Sequence, residues 1–199
     1  MTNTIKVEGF GSVSAAPDMM RFSYELVQDA DSYAESHSAL TEQYNAILES
    51  FKKVLFNVAK VKTSSINVSI IHPYEKQPKQ FRSSQSLTFE DKIDLERMKD
   101  LLDALRSTTD FNFSLSYFIK DTTKYDNDAI TLAVTDATDK AKVIASASGI
   151  KLGNIKTIEF VSQSMGRPYM KAMAMDMGGS MSASDLTVSQ NVLISWEIK

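Results

Sequence analysis

Four methionines in the stretch Met170–Met177 have the spacing of a possible ligand set. Met173, Met175 and Met177 read M-x-M-x-M, with Met170 three residues earlier, and six of the ten methionines fall between Met165 and Met181. Thioethers are soft ligands, and methionines at this spacing can hold copper(I). Methionine is also an adaptable apolar side chain suited to a partner surface. Gly166, Pro168, Gly178 and Gly179 resist a continuous helix or strand across the segment, leaving only MKAMAMDM for a short helix.

The remaining residues able to do chemistry are few. Cysteine is absent, which excludes disulfides, thiolate zinc sites and cysteine nucleophiles. His37 and His72 are the only histidines, and they lack the i, i+4 spacing that places two imidazoles on one helical face. No G-x-S-x-G elbow offers a serine nucleophile. Gly9-Phe10-Gly11 could be mistaken for the start of a dinucleotide loop, but it leads to Pro17 and a strand, so a bulge or bend is expected. Asp126 and Asp128 have a D-x-D spacing and stand where carboxylates would cap a helix; Asp29, Asp31 and Glu35 are read the same way. Tyr74, Phe81, Lys76, Lys79 and Arg82 mix aromatic and basic groups between His72 and Arg82, and a solvated hairpin tip explains them better than a nucleic-acid surface.

The elements around these residues are legible from periodicity. Ile5 and Val7, then Phe22, Tyr24 and Leu26, alternate with polar residues as strands do, and a hairpin or bent ribbon is expected of them. From Ser32 to Val58, Tyr33, His37, Leu40, Tyr44, Ile47, Phe51, Val54 and Val58 mark one helical face, widened by Leu48 and Leu55. Strands follow at Ile66–Ile70 and Leu87–Ile93. Asp94 is the expected N-cap of a helix bearing Met98, Leu101, Leu102 and Leu105. Phe111, Phe113, Leu115, Tyr117 and Ile119 predict a strand. Ala129, Ala133, Ala137, Ala141 and Ala145 ladder a helix from about Asn127 to Ser148, small enough for close packing. Gly149 stands at the left-handed C-cap position, with Ile150 for the apolar contact. Strands at Ile155–Phe160 and Leu186–Ile198 complete an α+β pattern, a mixed β-sheet with three helices packed on it in the order ββαββαβαβ. One domain is expected over 1–199, with a mobile methionine-rich excursion at about 163–184.

Bulk properties exclude more than they select. A chain of 199 residues with 43% hydrophobic and 24% charged side chains can bury one core. A net charge of -3 offers nothing to nucleic acid. No apolar run is long enough to span a bilayer. The start MTNTIKVEGFG lacks a basic and apolar leader, so the sequence as it stands reads as cytoplasmic, or as periplasmic or envelope-bound if a leader has been removed.

Together these landmarks resemble the SIMPL domain family. Ile5, Val7, Gly9, Gly11, Val13, Pro17 and Asp18 match its opening I-x-V-x-G-x-G-x-V and Pro-Asp pattern. Ala133, Ala137, Lys140, Ala141, Ala145, Gly149, Ile150, Leu152 and Gly153 match its alanine helix and the turn after it. An Arg-, Met- and Ala-rich loop precedes a last strand closing on Trp196-Glu197-Ile198. The resemblance implies a bacterial protein of unknown function, linked to the envelope, to immunogenicity and to stress tolerance, in a family with self-assembling members. It favours the partner-surface reading of the methionines. The expectation is a protein without enzymatic activity, cofactor or metal, acting as a homo-oligomer or partner binder through Met170, Met173, Met175 and Met177. The alternative is a small-molecule or metal-binding protein, or an enzyme, using a sheet–helix pocket or the methionine loop.

Overall fold

Residues that alternate by two and by three-and-four settle into strands and helices as their spacing requires. The computed structural model describes residues 3–71, 79–106, 113–161, 169–171 and 183–199. Its elements are β1 (Thr4–Ala15), β2 (Met19–Ala30), α1 (Tyr33–Lys53), β3 (Val61–Thr63), β4 (Asn67–Ile71), β5 (Gln80–Lys92), α2 (Leu95–Arg106), β6 (Phe113–Phe118), α3 (Thr123–Ala147), β7 (Leu152–Val161), β8 (Tyr169–Lys171) and β9 (Leu186–Ile198). The class is α+β, with the three helices in the expected order. The strands form two antiparallel sheets instead of one mixed sheet. One sheet has the order β1-β9-β7; the other has β3-β5-β2-β6-β8, with β4 also paired to β5.

No hairpin joins the first two strands: β1 pairs with β9 and β2 with β5. The common two- and three-residue hairpin connections place at least one residue at positive φ. The connection Ala16-Pro17-Asp18 supplies none, since only Leu55 and Gly149 have positive φ among the described residues.

The chain divides into two compact units, each drawn from separated segments. The first contains residues 1–17, 118–170 and 184–199. Its core is thin, with Val7, Val192, Ile194 and Trp196 against Ala133, Ala137 and Ala141 of α3. The register of β1 on β9 is unbroken from Thr4↔Glu197 to Ala15↔Leu186, so Gly9 and Gly11 make no bulge. Their role is close approach. A Cβ on Gly9 would overlap the Ala133 carbonyl oxygen and lie 2.7 Å from the Ala137 Cβ, and one on Gly11 would overlap the Ala129 carbonyl. Glycine on the strand and alanine on the helix thus let the two backbones nearly touch.

The second unit contains residues 18–117 and 171–183. Phe22, Phe51, Phe56 and Phe89 interlock at its centre, with ring centroids 4.9–5.9 Å apart. Leu40, Ile47, Met98, Leu101 and Leu105 close over them from α1 and α2. Ser32 caps α1 by accepting from the Glu35 amide at 3.2 Å, and Asp94 caps α2 through the Arg97 amide at 3.0 Å.

The first helix stops at Lys53, short of the expected Val58. Leu55 turns left-handed with φ 62°, Phe56 N–H donates to the Phe51 carbonyl at 2.9 Å, and Leu55 N–H donates to Lys52 at 3.0 Å. These are the two bonds of a Schellman cap, and the Phe51–Phe56 ring contact supplies its apolar clasp. Leu55, expected to widen the apolar face, is instead 82% exposed. The third helix ends in the same way, with Ile150 N–H on the Ala145 carbonyl and Gly149 at φ 66°.

Candidate functional site: two open sheet edges

Of the carboxylates singled out in the sequence, Asp29 and Asp126 hold side-chain hydrogen bonds within the fold. Asp29 lies in β2, where it accepts two bonds from Arg82 at 2.8 and 2.7 Å. That guanidinium holds its carboxyl below the usual range. Asp126 and Asp128 do not cap α3, which begins four residues earlier than expected. Asp121 takes the Thr123 amide at 3.0 Å, and Asp126, inside the first turn, accepts from the Gln190 side-chain amide at 2.8 Å. Burial works against the charge on Asp91, but the Lys60 ammonium at 2.6 Å and the Lys92 amide bring its carboxyl down on balance. Burial raises the Tyr117 phenol in β6. His37 is half-buried on α1 beside the Tyr33 ring, 5.7 Å between centroids, and Tyr33 is exposed instead of core-facing. Among the described residues no three His, Asp or Glu side chains form a group able to hold a metal ion.

The quartet of methionines falls almost wholly beyond what can be described. Met173, Met175 and Met177 lie outside the described residues, as do His72 and Tyr74; Met170 is described only as part of the backbone of β8.

Two sheet edges have the character of docking surfaces. In the second unit β4 pairs with β5 through Asn67↔Ser84 to Ile71↔Gln80. Val68 and Ile70 stand opposite Ser83 and Phe81 on the face that carries α1, and Ile66 continues the row. The helix does not cover them, and Ile70 is 55% exposed. Beside this strip a buried hydroxyl pair, Ser36 and Ser83 at 2.9 Å, joins α1 to β5. Ser36 gives its proton to the Tyr33 carbonyl at 3.1 Å, so Ser83 is the donor of the pair. Between α1 and the strip lies a cavity of about 230 Å³ lined by Leu40, Thr41, Tyr44, Thr63, Ile66 and Gln85. No charged side chain lines it, and Thr41, Tyr44, Thr63 and Gln85 make its lining partly polar.

The first unit repeats the theme. Ile155, Ile158 and Phe160 of β7 stand opposite Trp196, Ile194 and Val192 of β9, whose side chains α3 buries. Apart from Leu152, which packs with the α3 alanines, β7 lies largely beyond the helix, so its three apolar side chains remain about half exposed, Ile158 at 58%. An apolar strand at the margin of a sheet can serve as a template for another strand. Alternation alone located these residues in strands; it could not tell that their strands would lie at the margins, because that depends on which strand pairs with which.

The family model described as "SIMPL: Protein of unknown function (DUF541)" matches residues 5–196. The chain belongs to the SIMPL family. Two relatives, each named "26 kDa periplasmic immunogenic protein", come from Brucella melitensis and Brucella abortus and are 26% and 25% identical to this SIMPL chain. Each match covers 98% of this chain and 84% of the relative. Among solved structures, "Crystal structure of a hydrolase from Listeria innocua" aligns over 95% of this chain and 92% of that one, at 8% identity and a TM-score of 0.25. A likeness that slight bears on neither fold nor activity. No described helix of the SIMPL chain is long and apolar enough to cross a membrane.

Proposed function

We propose that this SIMPL protein is a non-enzymatic binding module that self-associates, in envelope or oxidative-stress physiology of the bacterial periplasm. The observation that carries this reading is the half-exposed apolar row of Ile155, Ile158 and Phe160 on an edge strand. Such a row loses water contact only when another surface covers it, at roughly 25 cal/mol per Å² of apolar area removed from solvent. The periplasmic names of the Brucella relatives support the compartment. Met170, Met173, Met175 and Met177 are assigned a part in the same contact, because adaptable thioether side chains suit a surface that must fit a second copy.

Two variants test the assignment separately by light scattering. Serine at all four methionines should lower the solution mass while leaving the melting temperature nearly unchanged. Ile158→Lys should do the same through β7. If neither changes the mass of an oligomeric wild type, both surfaces are misassigned. A second reading, a small neutral ligand between α1 and β4, draws on the 230 Å³ cavity there. That volume is below the roughly 300–1,000 Å³ of most ligand sites, which favours the first reading.

A further inference from the structure

The first unit's sheet has two margins, β7 and β1, and they are treated differently. In an antiparallel pair, alternate residues direct both backbone groups toward the partner strand or away from it. Phe10 N–H donates to the Asp136 Oδ2 of α3 at 2.8 Å, so Glu8, Phe10 and Ser12 present their backbone groups outward from β9. The neighbouring outward group, the Glu8 carbonyl, accepts from Lys140 Nζ at 3.4 Å. Asp136 and Lys140 are one helical turn apart and bonded to each other at 2.7 Å. They reach the strand because Gly9 and Gly11 let α3 lie against its backbone. On β7, by contrast, apolar side chains stand open.

We propose that the Asp136–Lys140 pair is an edge guard, occupying the groups through which β1 would otherwise pair with β1 of a second copy. The occupant follows from register. A copy related by a two-fold axis through Gly9 would set Glu8 opposite Phe10, bonding the Glu8 carbonyl to the Phe10 amide of the copy. Those are the two groups the helix holds. The carboxylate replaces one ladder acceptor and the ammonium one ladder donor, so the ion pair stands in for a neighbouring strand. The same pairing explains why the Asp136 carboxyl is held low: the Lys140 bond acts first and the Phe10 amide second.

The full-length Asp136→Ala/Lys140→Ala variant tests this. Site-resolved amide exchange should accelerate at Phe10 by roughly tenfold or more, the scale of a lost hydrogen bond to a charged group. Exchange at Ala137 and Ala141, buried on the inner face of α3, should stay as in the wild type, and the variant should gain mass over the wild type at matched concentration. The comparison is between variant and wild type, so it stands whether or not the native chain associates through β7 or β4. Unchanged exchange at Phe10, equal acceleration along α3, or no gain in mass would each overturn the proposal.

Discussion

Leu55 and Gly149 occupy the same position in two helix caps, and only one of them is the residue that the geometry favours. A left-handed conformation disfavours an L side chain by about 1–2 kcal/mol, and Leu55 is too exposed to recover that through packing. Leu55→Gly should therefore raise stability by about 1 kcal/mol in urea melts, and Gly149→Ala should lower it by a similar amount. A neutral or destabilising Leu55→Gly would show that the leucine makes a contact worth its strain. Asp29 carries the pH dependence most clearly. Its pairing with Arg82 depresses the folded carboxyl below the ordinary value of about 3.9. The contribution is complete above that value and fades as pH falls through the folded midpoint. Arg82→Gln should move the Asp29 midpoint upward in a carbon NMR titration; an unmoved midpoint would contradict the assignment.

At the scale of elements, β1 and α3 show what a sequence tells and what it withholds. The alanine ladder announced close packing, and all five alanines are buried. The glycines of β1 announced an irregularity that is not there, because a glycine in a strand can serve either a bulge or a close neighbour, and only the pairing distinguishes them. Given the overlap at Gly9, Gly9→Ala should cost about 3 kcal/mol, as should overpacking by Ala137→Leu. A change below about 0.5 kcal/mol for Gly9→Ala would mean that the helix can lift off without penalty. Leu55 likewise continued the helical spacing of α1 beyond its real end, since periodicity does not register the Phe51–Phe56 clasp that stops the helix. The edges at β4 and β7 were hidden for a related reason. Their apolar residues alternate as core residues do, and exposure follows from strand order.

For the whole molecule, the chain leaves the first unit twice, for residues 18–117 and 171–183, and β1 and β9 meet with 192 positions of chain between Thr4 and Glu197. Family membership was legible from the order of Gly9, Gly11, Pro17, the alanine helix and Trp196, which the match over residues 5–196 bears out. The exposed apolar edges were not, because they arise only from strand pairing, and Met173, Met175 and Met177 lie outside the described residues. The central claim is that this protein acts by binding copies of itself and not by catalysis. Its most direct test is the solution mass of the full chain by light scattering over a concentration series. Self-association gives a mass of two or more times 22.1 kDa at the higher concentrations. A mass that stays at 22.1 kDa throughout would contradict it.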